Sequence, residues 1–478
     1  MNSNGATTAG RNVRQSVFVV AVPLGFAFLA AVGLCIWLSV AWSEVGGLTE
    51  RLPIPENTPQ SDVEGPDQMK GTFARFDGVP ADLPGAWPGF RGPNLDAISP
   101  ESVPLAKTWP AAGPKVLWSI NVGEGYAGAA VLAGRVYIID YLQSERADAI
   151  RCFSLGDGRE IWRYSYPVKV ARHHGMSRTV PVVTEKYIVT MGPKCHVTCL
   201  DSQTGEFRWM LNLVRDFGAA VPDWYAGQCP LIEEDRAIIA VGGKCLMMAV
   251  DCQTGQIVWE TPNPQNWRMT HSSISPMQFA GKRMYVYCGS EGVVGVSAED
   301  GSVLWQNDQW KIRIANVPAP VVVGEDRIFL CGDYNAGSMM LRLTEQGETI
   351  TAEPLFRLEA AVFGSPQQTP ILYNGHICGV NANKQLACLD LEGRVLWTST
   401  SAHKFGRGPY MIAGGMIYVM DDNGLLTVVE AMPSGYKQLA QVKVLEGPDA
   451  WGPMAVASGR LILRDLNKMI CLEIASGQ

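Results

Sequence analysis

The chain has 478 residues, of which 47% are hydrophobic and 50 are glycines, which is enough apolar material for a large buried core. Its net charge of −7, with no basic cluster, excludes a nucleic-acid-binding surface. Many short apolar runs punctuated by Gly and Pro exclude a helical bundle and predict an all-β protein.

Residues 1–16 carry Arg11 and Arg14 and are expected to form a short cytoplasmic tail. Residues 17–42 contain no charged side chain, and about 20 apolar residues suffice for a helix to cross a bilayer. The basic flank before this run and the acidic one after it (Glu44, Glu50) predict a single-pass signal-anchor. The rest of the chain then lies on the extracytoplasmic, periplasmic side. A cleaved signal peptide is the alternative, with Ser39-Val40-Ala41 as a small-residue cleavage site; the length of the run favours the anchor. Residues 43–86 are polar and acidic, with no apolar period, and read as a disordered stalk.

From residue 87 onward one phrase repeats: an apolar residue, Asp, a few polar residues, Gly, and then Trp. It stands as Leu200-Asp201 to Gly205 and Trp209, as Val250-Asp251 to Gly255 and Trp259, as Asp300-Gly301 to Trp305, and as Leu389-Asp390 to Gly393 and Trp397; a looser copy is Asp157-Gly158 to Trp162. The interval is roughly 45 residues, the size of a propeller blade. Within one unit, Val180–Val183, Lys186–Val189, His196–Leu200 and Glu206–Trp209 read as four short strands joined by turns.

Pro181, Pro230, Pro276, Pro320, Pro370, Pro409 and Pro453 mark seven opening strands, where no ladder donor is needed, and Ala129-Ala130 marks an eighth. Outer strands fall at Trp118, Trp162, Trp209, Trp259, Trp305 and Trp397, with degenerate copies near Phe356 and Leu439. Lys115–Trp118 is a fourth strand without its first three, and Cys471–Ile474 is a third without its fourth. The two are predicted to close an eight-bladed ring. The tryptophans read as packing between blades.

This pattern resembles the pyrroloquinoline-quinone-like (PQQ-like) propeller repeat. Trp87–Asn94 and Gly123–Tyr126 look like the lead-in of membrane-associated bacterial members. The resemblance covers residues 87–478. It implies either of two functions: that of quinoprotein dehydrogenases, or that of the non-enzymatic propeller subunit of the outer-membrane barrel-assembly machinery. The dehydrogenases use adjacent cysteines and a calcium ion held by clustered carboxylates and an asparagine. None of the 12 cysteines here is adjacent to another, and no calcium-loop spacing or Cys-x-x-Cys-His haem site occurs. The cysteines read as small core residues.

The connections that lead from each outer strand to the next inner one hold residues that break the repeat. They are Arg172, His173, His174 and Arg178; then Trp224, Tyr225 and Gln228; then Trp267, Arg268 and His271; then Arg313 and Asn316; then Gln368; then His403 and Arg407; and finally Trp451. A pocket ringed by such cationic, aromatic and amide groups suits a small polar or anionic ligand or a protein segment. No nucleophile–base pair, phosphate loop or carboxylate dyad is present, and no metal site is expected. The expected function is a membrane-anchored binding or scaffolding module, with envelope or outer-membrane protein assembly as its setting. The alternative is a dehydrogenase that acts on an alcohol or sugar with PQQ and calcium.

Overall fold

The computed structural model of the protein describes residues 28–36 and 71–477. Residues 28–36 are helical and solvent-exposed. Among the described residues, no helix is long and apolar enough to cross a membrane. The cytoplasmic tail, the remainder of the expected anchor at 17–42 and residues 43–70 of the stalk lie outside the described residues.

The second unit of the chain is an eight-bladed β-propeller. Its blades span 130–167, 182–212, 231–262, 275–307, 321–358, 371–398, 410–443 and, for blade 8, 455–473 together with 116–121. In each blade, four antiparallel strands follow one another outward from the axis. Blade 8 confirms the predicted closure. Lys468–Glu473 pairs with Val116–Asn121, with Cys471 opposite Trp118, so the ring exposes no unpaired strand between its first and last segments.

Alternate residues of neighbouring blades interlock to form the core. Eleven cysteines of the propeller are buried and free, as small apolar side chains at these packed positions should be.

The repeated phrase acts between blades. In blade 3, Gly255 adopts φ +73°, and a Cβ there would lie 2.7 Å from the Trp209 ring of blade 2. The Trp209 indole N–H then donates to the Cys252 carbonyl of the same turn at 2.9 Å. The same bond runs from Trp118 to Leu155, from Trp259 to Ala298 and from Trp397 to Met432. Phe356 takes the tryptophan's place against Gly393. In blade 7 the equivalent position is Ala440, opposite Val428, one residue beyond the expected Leu439.

Asp201 shows what the aspartate does. Burial opposes its ionisation, but the N–H groups of Thr204 and Gln203 and the Arg208 guanidinium hold it below the usual carboxylate range.

One expectation is corrected at the N-terminal side. Residues 71–86, read as part of the stalk, lie on the propeller. Thr72–Arg75 adds a fifth strand to blade 1 and pairs in register with Trp162–Ser165. Gly71 and Gly78 let the segment approach closely, since a Cβ at either would overlap Tyr164 or the Glu160 carbonyl. The four-residue strand is too short to show a period in the sequence, and polar neighbours surround it.

Candidate functional site

A cavity of about 290 Å³ opens at the mouth of the central channel. Connections from all around the ring contribute to it. His174 and Arg178 come from the link between blades 1 and 2. Trp224 comes from the next link and His271 from the one after it, followed by Gln368, then Arg407, then Trp451. These residues were expected to converge from their positions in the sequence. Phe90, Tyr126, Asp333 and Tyr334 also line the cavity but were not singled out. Phe90 and Tyr126 belong to lead-in segments outside the blade repeat. Asp333 and Tyr334 sit in an inner hairpin of blade 5, which blade periodicity marks only as a turn.

Arg178 is the electrostatic centre. It is half-buried, and desolvation lowers its pKa to about 10. It donates to the main-chain carbonyls of Trp224, His174 and Gly175 and lies 5.0 Å from the Tyr126 ring centroid. No carboxylate of the described residues pairs with it. Across the cavity, the exposed Arg407 guanidinium lies 5.6 Å from the Trp451 ring, and Tyr126 packs against the same ring at 5.1 Å. The Trp451 indole is fixed by Asp422 at 2.8 Å, and the Gln368 amide donates to the carbonyls of Arg407 and Trp451. Burial and the nearby Arg178 lower the pKa of His271 to about 4, so its imidazole is neutral; it contacts the Asp223 carbonyl at 2.8 Å.

The rim is conformationally unusual. His174, Trp224, Tyr225, Tyr334 and Asp449 all have positive φ, between 49° and 75°. Bulky residues in this region are costly and persist only where the surroundings over-determine them, a pattern that clusters at binding sites. A second cleft of about 140 Å³ shares His271 and Ala315 with the cavity and brings in Arg268, Arg313 and Asn316. Asn316 is 1% exposed, and neither atom of its amide has a partner.

The other expected residues have different roles. Arg172 pairs with Glu124 at 2.8 Å, away from the cavity lining. His173 packs against His174, and the Tyr225 hydroxyl donates to the Ala171 carbonyl. The Gln228 amide is wholly buried and brackets both main-chain groups of Ala240. Trp267 is buried beside Gly289 with its N–H on Gln265, and His403 packs on Tyr436. The sequence places these side chains in the right connections but cannot say which way each turns.

The residues do not fit a calcium-supported quinone. Calcium takes six to eight oxygen ligands, and the cavity offers one carboxylate, Asp333. Cys229 is the one cysteine that lines it. Among the described residues, no group of three or more His, Cys, Asp or Glu could hold a metal.

Fold and cavity together define an eight-bladed PQQ-like propeller with a cationic, aromatic mouth. The model of the family described as outer membrane protein assembly factor BamB matches residues 146–392, just over half the chain, and the chain belongs to that family. No curated protein matches it. Among solved structures, it is similar to BamB from Moraxella catarrhalis at 14% identity and a TM-score of 0.52, covering 76% of this chain and 98% of that one. A europium-containing methanol dehydrogenase is similar at 12% identity and a TM-score of 0.59, covering 79% and 89%. The computationally designed Ika8 protein is similar at 10% and 0.52, covering 75% and 100%. These likenesses concern the fold.

Proposed function

We propose that this protein is a membrane-anchored, extracytoplasmic binding module whose central cavity receives an anionic group on a partner protein, in envelope or outer-membrane protein assembly. The observation that carries this reading is Arg178, a half-buried, desolvated guanidinium without a carboxylate partner in the lining of a strained, aromatic cavity. A desolvated charge without a counter-charge is costly, and an incoming carboxylate would supply that counter-charge and further hydrogen-bond acceptors. Family membership supports an assembly role, and the uncharged stretch at 17–42 supports the anchor.

The test is titration of the full chain with a hexaglutamate peptide and with inorganic phosphate, followed by tryptophan fluorescence. Binding should quench emission, and Arg178→Met or the exposed Arg407→Ala should weaken it at least tenfold. Arg407→Ala should do so without changing the melting temperature. Absence of binding by both probes at millimolar concentration would overturn the proposal. Addition of PQQ with calcium should give no turnover of alcohols or sugars.

A further inference from the structure

The interface between blades 1 and 2 is apolar along most of its length. Ile150 and Cys152 of blade 1 meet Ile188 and Leu200 of blade 2. The same alternation then brings polar side chains into the dry interface. Asp148 stands opposite Tyr166 in blade 1, and Thr190 stands opposite Thr198 in blade 2. Asp148 and both threonines are 0% exposed and Tyr166 is 2% exposed.

The Tyr166 hydroxyl lies near enough to Asp148 and Thr198 to interact with both, but both Asp148 carboxylate oxygens, the Tyr166 hydroxyl and the two threonine hydroxyls are left without a well-formed hydrogen bond. Arg151, on the same strand as Asp148, is committed to Asp140 and Glu160, each at 2.9 Å. Gly192, just past the strand Tyr187–Met191, completes the enclosure. A Cβ there would lie 2.5 Å from Asp148 Oδ2 and 2.7 Å from the Tyr166 hydroxyl, so only glycine leaves these oxygens their space. His196 packs edge-on against Tyr166 at 5.6 Å, and burial keeps its ring neutral.

Such a set of groups is expensive to bury unless something satisfies it. We infer that Asp148, Tyr166, Thr190 and Thr198 form a binding site for one hard monovalent cation, sodium or potassium, between blades 1 and 2. The donors are all oxygen, which selects a hard ion over zinc or copper. The single carboxylate balances one positive charge, whereas a divalent ion would leave a net charge buried. The bound ion stitches the two blades together and stabilises the folded chain by mass action.

The full chain is melted in sodium, potassium and tetramethylammonium chloride at equal ionic strength. The melting temperature is expected to be several degrees higher in sodium or potassium than in tetramethylammonium. Asp148→Asn should abolish this preference and Thr198→Val should reduce it. Equal melting temperatures in the three salts, or a preference retained in Asp148→Asn, would overturn the assignment. Should Asp148→Asn fail to fold, thallium(I) diffraction from wild-type crystals decides. An anomalous peak beside Asp148 supports the site, and none there rejects it.

Discussion

The meaning of a residue here depends on the blade beside it. Gly255 supplies the positive φ that its turn requires, and that much was legible in the Asp–Gly–Trp spacing. Its second constraint was not, because the Trp209 ring that excludes a Cβ belongs to the preceding blade. Gly255→Ala therefore meets two penalties: about 1–2 kcal/mol for the left-handed backbone and a further cost for displacing the indole. Urea unfolding should show a loss of at least about 2 kcal/mol. Gly281→Ala serves as the control: with the same φ and no atom within 4 Å, it should show only the backbone part.

At the scale of elements, strand count and ring closure were legible because each strand carries its own local signal of proline, alternation or turn. The cavity was legible in part. The connections that hold His174, Arg178, Trp224, His271, Arg407 and Trp451 were recognisable because they break the repeat. The inward or outward turn of Gln228 and Trp267 depends on contacts with Ala240 and Gly289 that no spacing encodes. The fifth strand of blade 1 left no trace either. Thr72–Arg75 covers the blade's outer edge, which would otherwise present unpaired main-chain groups. A chain that begins after Gly78 should still fold, with a melting temperature a few degrees lower. Light scattering should show it self-associating with rising concentration while the full chain does not.

For the whole molecule, buried titratable groups predict a stability maximum near pH 6.5. Burial lowers the pKa of both His196 and His271 to about 4, so the unfolded chain binds more protons than the folded one between about pH 4 and 6.5. Stability from these two groups is lost as pH falls through that window. Asp148 acts in the opposite sense. Burial raises its pKa to about 8, so its contribution is lost as pH rises from about 4 to 8. Two histidines outweigh one aspartate below pH 6.5, and above it only the aspartate remains. Calorimetry in tetramethylammonium salt should show the melting temperature rise from pH 4.5 to 6.5 and then fall towards pH 8. In sodium or potassium the alkaline fall should flatten, because a bound cation takes the place of the proton.

The bond that Trp118, Trp209, Trp259 and Trp397 make to the turn of the following blade also redefines the module from which the ring is made. Hydrogen bonding divides the propeller into sheets, but these indole bonds tie an outer strand to the three inner strands of the sheet after it. Val116–Asn121 followed by 130–154 is one such module, tied by the Trp118 bond to Leu155. The boundary between modules falls in the Asp–Gly turn, and the ring's own seam, between Lys468–Glu473 and Val116–Asn121, falls at that same point. The seam therefore interrupts a sheet but divides no module. Rearrangements that cut and rejoin the chain at other Asp–Gly turns would leave each bonded tryptophan in one module with the strands it is tied to.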